Sequence, residues 1–380
     1  MERIYLDHAA TSAVHPKVID RMVGVLQDSF GNPSSIHAYG REARHLLDEA
    51  RTTIADSISA HFNEIIFTSG GTEADNYAII GTAEARQHQG KHIITSNIEH
   101  HAVLHACQYL EKKGFEITYL DVDQDGRVKV EDVQNALRDD TILVTIMYGN
   151  NEVGSIQPIK EIGELLKEHS AYFHTDAVQA YGVVKLDVND LNVDMLSVSA
   201  HKINGPKGVG FLYARNGVKI APRAHGGEQE LKRRAGTENI SSIAGFSEAV
   251  KIAQETMEEK QKLYSKYKET FLNILTNNQV QYSVNSTMDF SLPHVLNISF
   301  PGTDVESLLV NLDLAGIAAS SGSACTAGSI EPSHVLVAMF GKDSERLRNS
   351  VRFSFGITNT MEQIEDAAGK IASIVRRFQE

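Results

Sequence analysis

Two side chains in this sequence could act as nucleophiles: the amine of Lys202 and the thiol of Cys325. Lys202 follows the run Ser197-Val198-Ser199-Ala200-His201 and precedes the loop Asn204-Gly205-Pro206-Lys207-Gly208. A lysine held just past a buried strand and partly desolvated can form a Schiff base with a carbonyl compound. Upstream, Phe173-His174-Thr175-Asp176 puts a carboxylate at the end of another strand, with Gln179 three residues on. A third segment, Thr68-Ser69-Gly70-Gly71-Thr72-Glu73, joins an apolar strand to a helix. Its glycines permit a tight turn. The free amides of a starting helix and the Thr72 hydroxyl then make an anion site.

That turn is neither G-x-G-x-x-G nor G-x-x-x-x-G-K, so it points to neither a nicotinamide cofactor nor a nucleoside triphosphate. Each segment alone has a plainer reading: a helix cap for the turn, a cap for Asp176, a surface charge for Lys202. Together, an anion site, a carboxylate and a lysine meet the needs of pyridoxal 5'-phosphate, whose pyridine nitrogen often meets an Asp. A flat imidazole from His100, at a strand end, is suited to stack on a planar ring.

The two cysteines differ in setting. Cys107 lies in a helical pattern and reads as a small buried hydrophobe. Cys325 sits in Ser320-Ser321-Gly322-Ser323-Ala324-Cys325-Thr326-Ala327-Gly328-Ser329, which cannot build an apolar core and reads as an exposed loop. A thiol there can become a thiolate nucleophile. Downstream, Arg348 and Arg352 offer guanidinium forks for a carboxylate. Two metal-like patterns are weak. His101 and His105 lack a His-Glu-x-x-His context. Asp121-Val122-Asp123-Gln124-Asp125-Gly126 resembles the opening of a calcium loop but has Asp132 at the twelfth place, and reads as a polar turn. No metal is expected.

These residues need a scaffold. The chain has 380 residues, 42% of them hydrophobic and 22% charged, enough to bury a core without disulfides or zinc. Its net charge of −13 argues against direct nucleic-acid binding through a broad basic face. Two cysteines exclude a disulfide framework. The first residues show no signal peptide and no window is long and apolar enough to span a membrane. The expectation is a cytoplasmic protein with no membrane partner. Apolar strands alternate with helical patterns from residue 64 to 213, predicting an α/β fold with a mostly parallel sheet between helices. The expected large domain covers residues 14–250. A smaller α+β domain comprises 1–13 and 251–380 and carries the Cys325 loop.

The full motif set is specific. It comprises Ser69-Gly70-Gly71-Thr72-Glu73-Ala74-Asp75-Asn76, Glu99-His100, Asn150-Asn151-Glu152-Val153-Gly154, His174-Thr175-Asp176-Ala177-Val178-Gln179 and Ser199-Ala200-His201-Lys202. It continues with Arg234-Ala235-Gly236-Thr237-Glu238-Asn239, Ser321-Gly322-Ser323-Ala324-Cys325 and Val351-Arg352-Phe353-Ser354-Phe355-Gly356. This set resembles, over nearly the whole chain, the cysteine desulfurases of the NifS/IscS type, fold-type I pyridoxal phosphate enzymes in the class V aminotransferase family. The resemblance implies Lys202 as the lysine that binds the cofactor's aldehyde, Asp176 as partner of the pyridine nitrogen and Gln179 as donor to the ring hydroxyl oxygen. It implies His100 as the stacking residue and Gly71, Thr72, Ser199 and His201 around the phosphate, with Thr237 reaching across a homodimer. Asn151 and Arg352 grip the carboxylate of L-cysteine, and Cys325 takes the substrate's sulfur as a persulfide. His100 is also implied in moving a proton near the leaving sulfur.

The implied products are L-alanine and a persulfide passed to an acceptor protein. Twenty-six residues separate Cys325 from Arg352, which fits the family branch with the long cysteine loop. The chain ends directly after its last helix, whereas some members that feed an iron–sulfur scaffold carry a docking extension. The expectation is therefore sulfur delivery to a tRNA thiolation enzyme or another sulfur-containing product. An iron–sulfur scaffold as acceptor and selenocysteine lyase activity are the alternatives. Another fold-type I activity, such as amino transfer, would not need Cys325. A non-catalytic binding protein on this fold would not need Lys202 to react.

Overall fold

The computed structural model describes residues 3–321 and 332–380. Among them run twelve strands: β1 (Ile4–Tyr5), β2 (Ile65–Thr68), β3 (His92–Ser96), β4 (Glu116–Leu120), β5 (Thr141–Thr145), β6 (Tyr172–Asp176), β7 (Met195–Ser199), β8 (Gly210–Ala214), β9 (Ser283–Val284), β10 (Val295–Ser299), β11 (Ile317–Ala318) and β12 (Ser350–Ser354). Seven of them form one sheet in the order β2-β8-β7-β6-β5-β3-β4. It is parallel except for β8, which runs antiparallel to both β2 and β7. All residues of β2, β3, β5, β7 and β8 are buried. Such continuous burial is what helices on both faces impose, and it explains why these strands read as apolar runs rather than alternating ones.

The sheet's two faces belong to two apolar clusters. One joins Phe67, Phe173, Leu196 and Phe211 to the helices Pro16–Asp28 and Ala38–Asp56. The other joins Ile66, Ile93, Leu143 and Leu212 to the helices Gly71–Asn76 and His101–Glu111. Cys107 is fully buried in the second cluster, and burial pushes its thiol pKa up. The helix after β2 runs from Gly71 to Arg86 and contains a π turn at Tyr77–Gly81. At Gly81 a Cβ would lie 2.3 Å from Ile220 Cγ2, so only glycine lets the segment around Ile220 pack this closely.

A second core surrounds the antiparallel sheet β12-β10-β9 and the parallel pair β1-β11. The helix Met361–Gln379 closes it, started by a capping box in which Thr360 and Gln363 satisfy each other's amides. One helix, Ile240–Asn277, serves both cores. Its first half buries Phe246 and Ala253 against the large sheet, and its second half buries Tyr264, Tyr267 and Phe271 in the small one. At 38 residues it is about 57 Å long. The boundary placed at residue 250 from sequence thus falls inside one continuous helix. The helix His334–Phe340 packs on Ile98, Met147 and Val153, in loops beyond the large sheet. The candidate calcium loop is a turn in which Asp123 Oδ1 accepts from the amides of Asp125 and Arg127, both at 2.9 Å.

Candidate active site

In the large sheet β4 lies to one side of β3 and β5 to the other, so the strand order reverses between β3 and β5. Ligands of such sheets gather beyond the carboxyl ends of the strands at that point. A cavity of about 440 Å³ lies there. Its lining includes Gly71, Thr72, His100, Asn151, Asp176, Gln179, Ser199, His201, Lys202 and Arg352, drawn from six separate stretches of sequence. Every residue to which the resemblance gives a role therefore meets at one place, with two exceptions; Arg348, the other candidate fork, does not line the cavity. Thr237 is exposed and does not line the cavity. Cys325 lies outside the described residues. Ser320 and His334, on either side of the segment 322–331, both border the cavity.

The floor comes from β6 and β7. Asp176 ends β6, buried, with Oδ1 accepting from the Val178 amide at 2.9 Å. Burial raises its pKa, opposed by that amide and by Lys202. Lys202 stands on the 3-10 turn Ala200–Ile203 that follows β7. Its Nζ donates to the carbonyls of Ala9 at 2.5 Å and Ala10 at 2.8 Å. Burial, then repulsion from Arg352, lowers the Lys202 pKa to about 8, against the pull of Asp176 and Asp7. A much larger share of this amine is thus neutral near pH 8 than for a free lysine. Gln179 Nε2 donates to the same Ala9 carbonyl at 2.9 Å, and its Oε1 lies 3.3 Å from His294 Nε2. The N-terminal strap is a wall of the site that sequence reasoning missed.

The Gly70-Gly71 turn is held tightly against its neighbours. Gly70 has φ +150, and a Cβ at Gly71 would lie 2.7 Å from Val178 Cγ2. Both positions need glycine, one for its backbone and one for its close approach to the loop after β6. The first amides of the helix starting at Gly71 have no intrahelical acceptors. Thr72, Ser199 and His201 border the same cavity. His201 Nδ1 lies 3.1 Å from Thr11 Oγ1, and burial, then Lys202 and Lys207, lower its pKa to about 4.

His100 caps the helix His101–Glu111, its Nδ1 accepting from the Ala102 amide at 3.1 Å. Burial, then repulsion from Lys202 and from His101, His334 and His105, lowers its pKa to about 4. By surface area the residue is nonetheless exposed, opening onto the cavity it borders. A neutral ring there can face another planar ring without adding charge. Beside it, buried Glu99 accepts from the Met147 amide at 3.0 Å and from Ser96 Oγ at 2.6 Å, tying together the ends of β3 and β5. Burial raises the Glu99 pKa to about 8. His101 stacks on His105, ring centroids 5.1 Å apart, and lies 4.9 Å from His334.

The far wall comes from the small sheet. Arg352 on β12 donates from Nη1 to the Asn151 carbonyl at 2.9 Å and from Nη2 to Asp7 Oδ1 at 2.8 Å. Its Nε is buried with no hydrogen-bond partner among the described residues. It is Asn151's backbone, not its amide, that meets Arg352. Asp7 was not legible as a site residue, because only the tertiary pairing of β1 with β11 brings it to β12. Asp75 was missed too, though it stands four residues after Gly71 in one helix and so shares its face. Asp75, His100 and Asp176 each bring one potential ligand atom within 4.8 Å of the others.

The donor set suits pyridoxal phosphate: a glycine-tight anion cradle, a buried carboxylate, an amine of lowered pKa and an uncharged imidazole around one cavity. The class this fold and site define is matched by the chain itself. Residues 4–366 fit the model of the aminotransferase class-V family, and the chain belongs to it. Within that family of fold-type I pyridoxal phosphate enzymes it groups with the cysteine desulfurases of the NifS/IscS type. It is 62% identical over 378 residues to a putative cysteine desulfurase, IscS 1, of Bacillus subtilis, covering all of both chains. It is 46% identical over 381 residues to a cysteine desulfurase, IscS, of Clostridium botulinum, covering 100% of this chain and 96% of that one. A solved NifS-like protein superposes with a TM-score of 0.92 at 36% identity, over 99% of this chain and all of the other. DndA from Streptomyces lividans superposes with a TM-score of 0.79 at 41% identity, over 92% and 99%.

Proposed function

We propose that this chain is a pyridoxal phosphate-dependent cysteine desulfurase that holds its cofactor and its substrate in the 440 Å³ cavity. The observation that carries this reading is the meeting of Lys202, Asp176, His100 and Arg352 there. Asp176 would pair with the ring nitrogen, Gln179 would serve the ring oxygen and His100 would face the ring. Gly71, Thr72, Ser199 and His201 would hold the phosphate, and Lys202 the aldehyde. When bound, the cofactor supplies an electron sink for the bonds of the substrate's α-carbon.

The chain's residues do the rest. Arg352, with an unpartnered Nε and a fork now shared with Asp7, takes the carboxylate of L-cysteine, assisted by Asn151. Lys202 takes the substrate's Cα proton and later returns one, a role its lowered pKa suits. His100 handles a proton near the leaving sulfur. The Cys325 thiolate attacks that sulfur. A new S–S bond forms as the Cβ–S bond breaks, and the bond pair, after protonation, leaves L-alanine. L-cysteine and the enzyme thiol thus give L-alanine and an enzyme persulfide. A thiol of an acceptor protein then takes the terminal sulfur by exchange.

The protein is proposed to work as a homodimer in the cytoplasm. Leu26, Phe30 and Ile36 are 64%, 76% and 91% exposed on and beside the helix Pro16–Asp28, a costly display of apolar surface for a lone chain. Thr237 is exposed and available to a partner's cradle. No helix among the described residues is long and apolar enough to cross a membrane. The proposed acceptor is a tRNA thiolation enzyme, with an iron–sulfur scaffold as the second choice. The test is mass spectrometry of the protein after addition of L-cysteine. One extra sulfur on Cys325, with alanine released, is the expected result. Full alanine output from Cys325→Ala would overturn the role of that thiol.

A further inference from the structure

In the cavity wall stands a second carboxyl that the reaction above does not use. Asp75 is 1% exposed, lines the cavity, and its Oδ1 has no hydrogen-bond partner among the described residues. A carboxyl oxygen of Asp75 lies within 4.8 Å of one from Asp176. Two buried carboxylates this close disfavour each other's ionisation. The nearest basic ring is His174, whose Nε2 lies 3.7 Å from Asp75 Oδ1. That ring is already occupied, its Nδ1 with Thr145 Oγ1 at 2.8 Å and its Nε2 with Ser197 Oγ at 2.9 Å.

We propose that Asp75 is a positioning residue, an uncharged carboxylic acid set beside Asp176 so that the pair carries one negative charge and that charge sits on Asp176. The asymmetry of the surroundings assigns the charge. Asp176 accepts the Val178 amide and feels Lys202, while Asp75 has near it the Ser197 hydroxyl, the His174 and His100 rings and the carboxyls of Asp176 and Glu99. Burial, then Asp176, raises the Asp75 pKa well above the usual range, with Glu99 adding to it and Ser197 opposing it. Burial lowers the His174 pKa to about 3, so that ring supplies no compensating charge. His100, the remaining titratable group at this spot, is likewise held neutral. The consequence is that Asp176 alone offers a full charge to a protonated ring nitrogen, with an acid proton beside it to keep that charge in place.

This inference rests on the proposed cofactor site, and the experiment separates the two. Wild type, Asp75→Asn and Asp75→Leu are compared by the visible absorbance that develops when pyridoxal phosphate is added to cofactor-free protein. Asn replaces a neutral acid with a neutral amide of the same shape, so its apparent affinity and the pH profile of its absorbance should match wild type within about twofold. Leu removes the polar group beside Asp176 and should weaken binding on the order of tenfold. Asp75→Asn as impaired as Asp75→Leu would show that a charge is needed and overturn the proposal; so would two variants that both match wild type. Independently, the infrared difference between cofactor-free wild type and Asp75→Asn should show the carbonyl band of a protonated carboxyl. Its absence overturns the proposal. A wild type that gains no visible band with pyridoxal phosphate overturns the cofactor reading, and the infrared band still decides Asp75.

Discussion

The cavity has two walls of different origin. Asp176, Lys202 and Ser199 come from neighbouring strand ends of the large sheet, where parallel pairing fixes each residue against the next. Arg352 comes from the small antiparallel sheet and reaches the cavity only because β12 joins Ser320 and, one residue pair away, Asp7. The first wall is one rigid surface suited to a resident group. The second joins three distant parts of the chain, and its guanidinium keeps an unused donor. Holding a cofactor asks for the first kind of wall. Accepting and releasing a substrate asks for the second, because a grip with spare capacity can be filled and emptied. Asp7 occupies Nη2 meanwhile, so the buried cation is paired while it waits.

The comparison can be broken most decisively on the large-sheet side. Lys202→Ala should lose the visible absorbance of the bound cofactor and cut kcat/KM by about 10²–10⁴-fold. A variant that keeps the absorbance would remove Lys202 from its assigned place. On the small-sheet side the effect should be smaller and of another kind. Arg352→Ala should raise KM for cysteine by about 10–100-fold, the worth of a charge-assisted fork, while the cofactor spectrum stays as in wild type. Equal damage to the spectrum would mean that the two walls do not divide the work.

A pH experiment sharpens the link between them. Lys202 has its pKa lowered to about 8, so its reactive neutral form accumulates as pH rises through 8 rather than through the ordinary lysine range. The rate at which cofactor-free protein reacts with pyridoxal phosphate should climb to a plateau just above that value. Repulsion from Arg352 is part of the depression, so Arg352→Ala should move this midpoint upward. A downward shift would contradict the assigned coupling. The smallest effect is expected at the other cysteine. Cys107→Ala should cost about 1 kcal/mol in denaturant unfolding and leave alanine formation unchanged, because the thiol is packed away from the cavity with its pKa raised by burial.

Sequence legibility followed the same division. The strand ends were readable because buried parallel strands are apolar runs, and a polar residue at the end of one stands out. Asp176, Lys202 and the Gly70-Gly71 turn are of this kind. Arg352 was picked out by its residue type and by resemblance, while its partner Asp7 was invisible. The spacing between residues 7 and 352 carries no periodic signal, and only the β1-β11 pairing and the bridge from Asp7 to Ser354 bring them together. The strap carbonyls of Ala9 and Ala10, which hold Lys202, were invisible for another reason: a backbone acceptor has no residue type.

What the sequence determined by itself was the chemistry and the scaffold class. Residue types at strand ends, a glycine-tight turn before a helix and alternating apolar segments follow from local rules of burial and backbone geometry. The tertiary structure decided the charge states and the partners. Whether Asp75 is a wall or a bystander, how far the Lys202 pKa falls, and which donor Arg352 keeps free depend on what lies within a few ångströms across the fold. Desolvation and Coulomb interactions act through space, and sequence distance does not encode them.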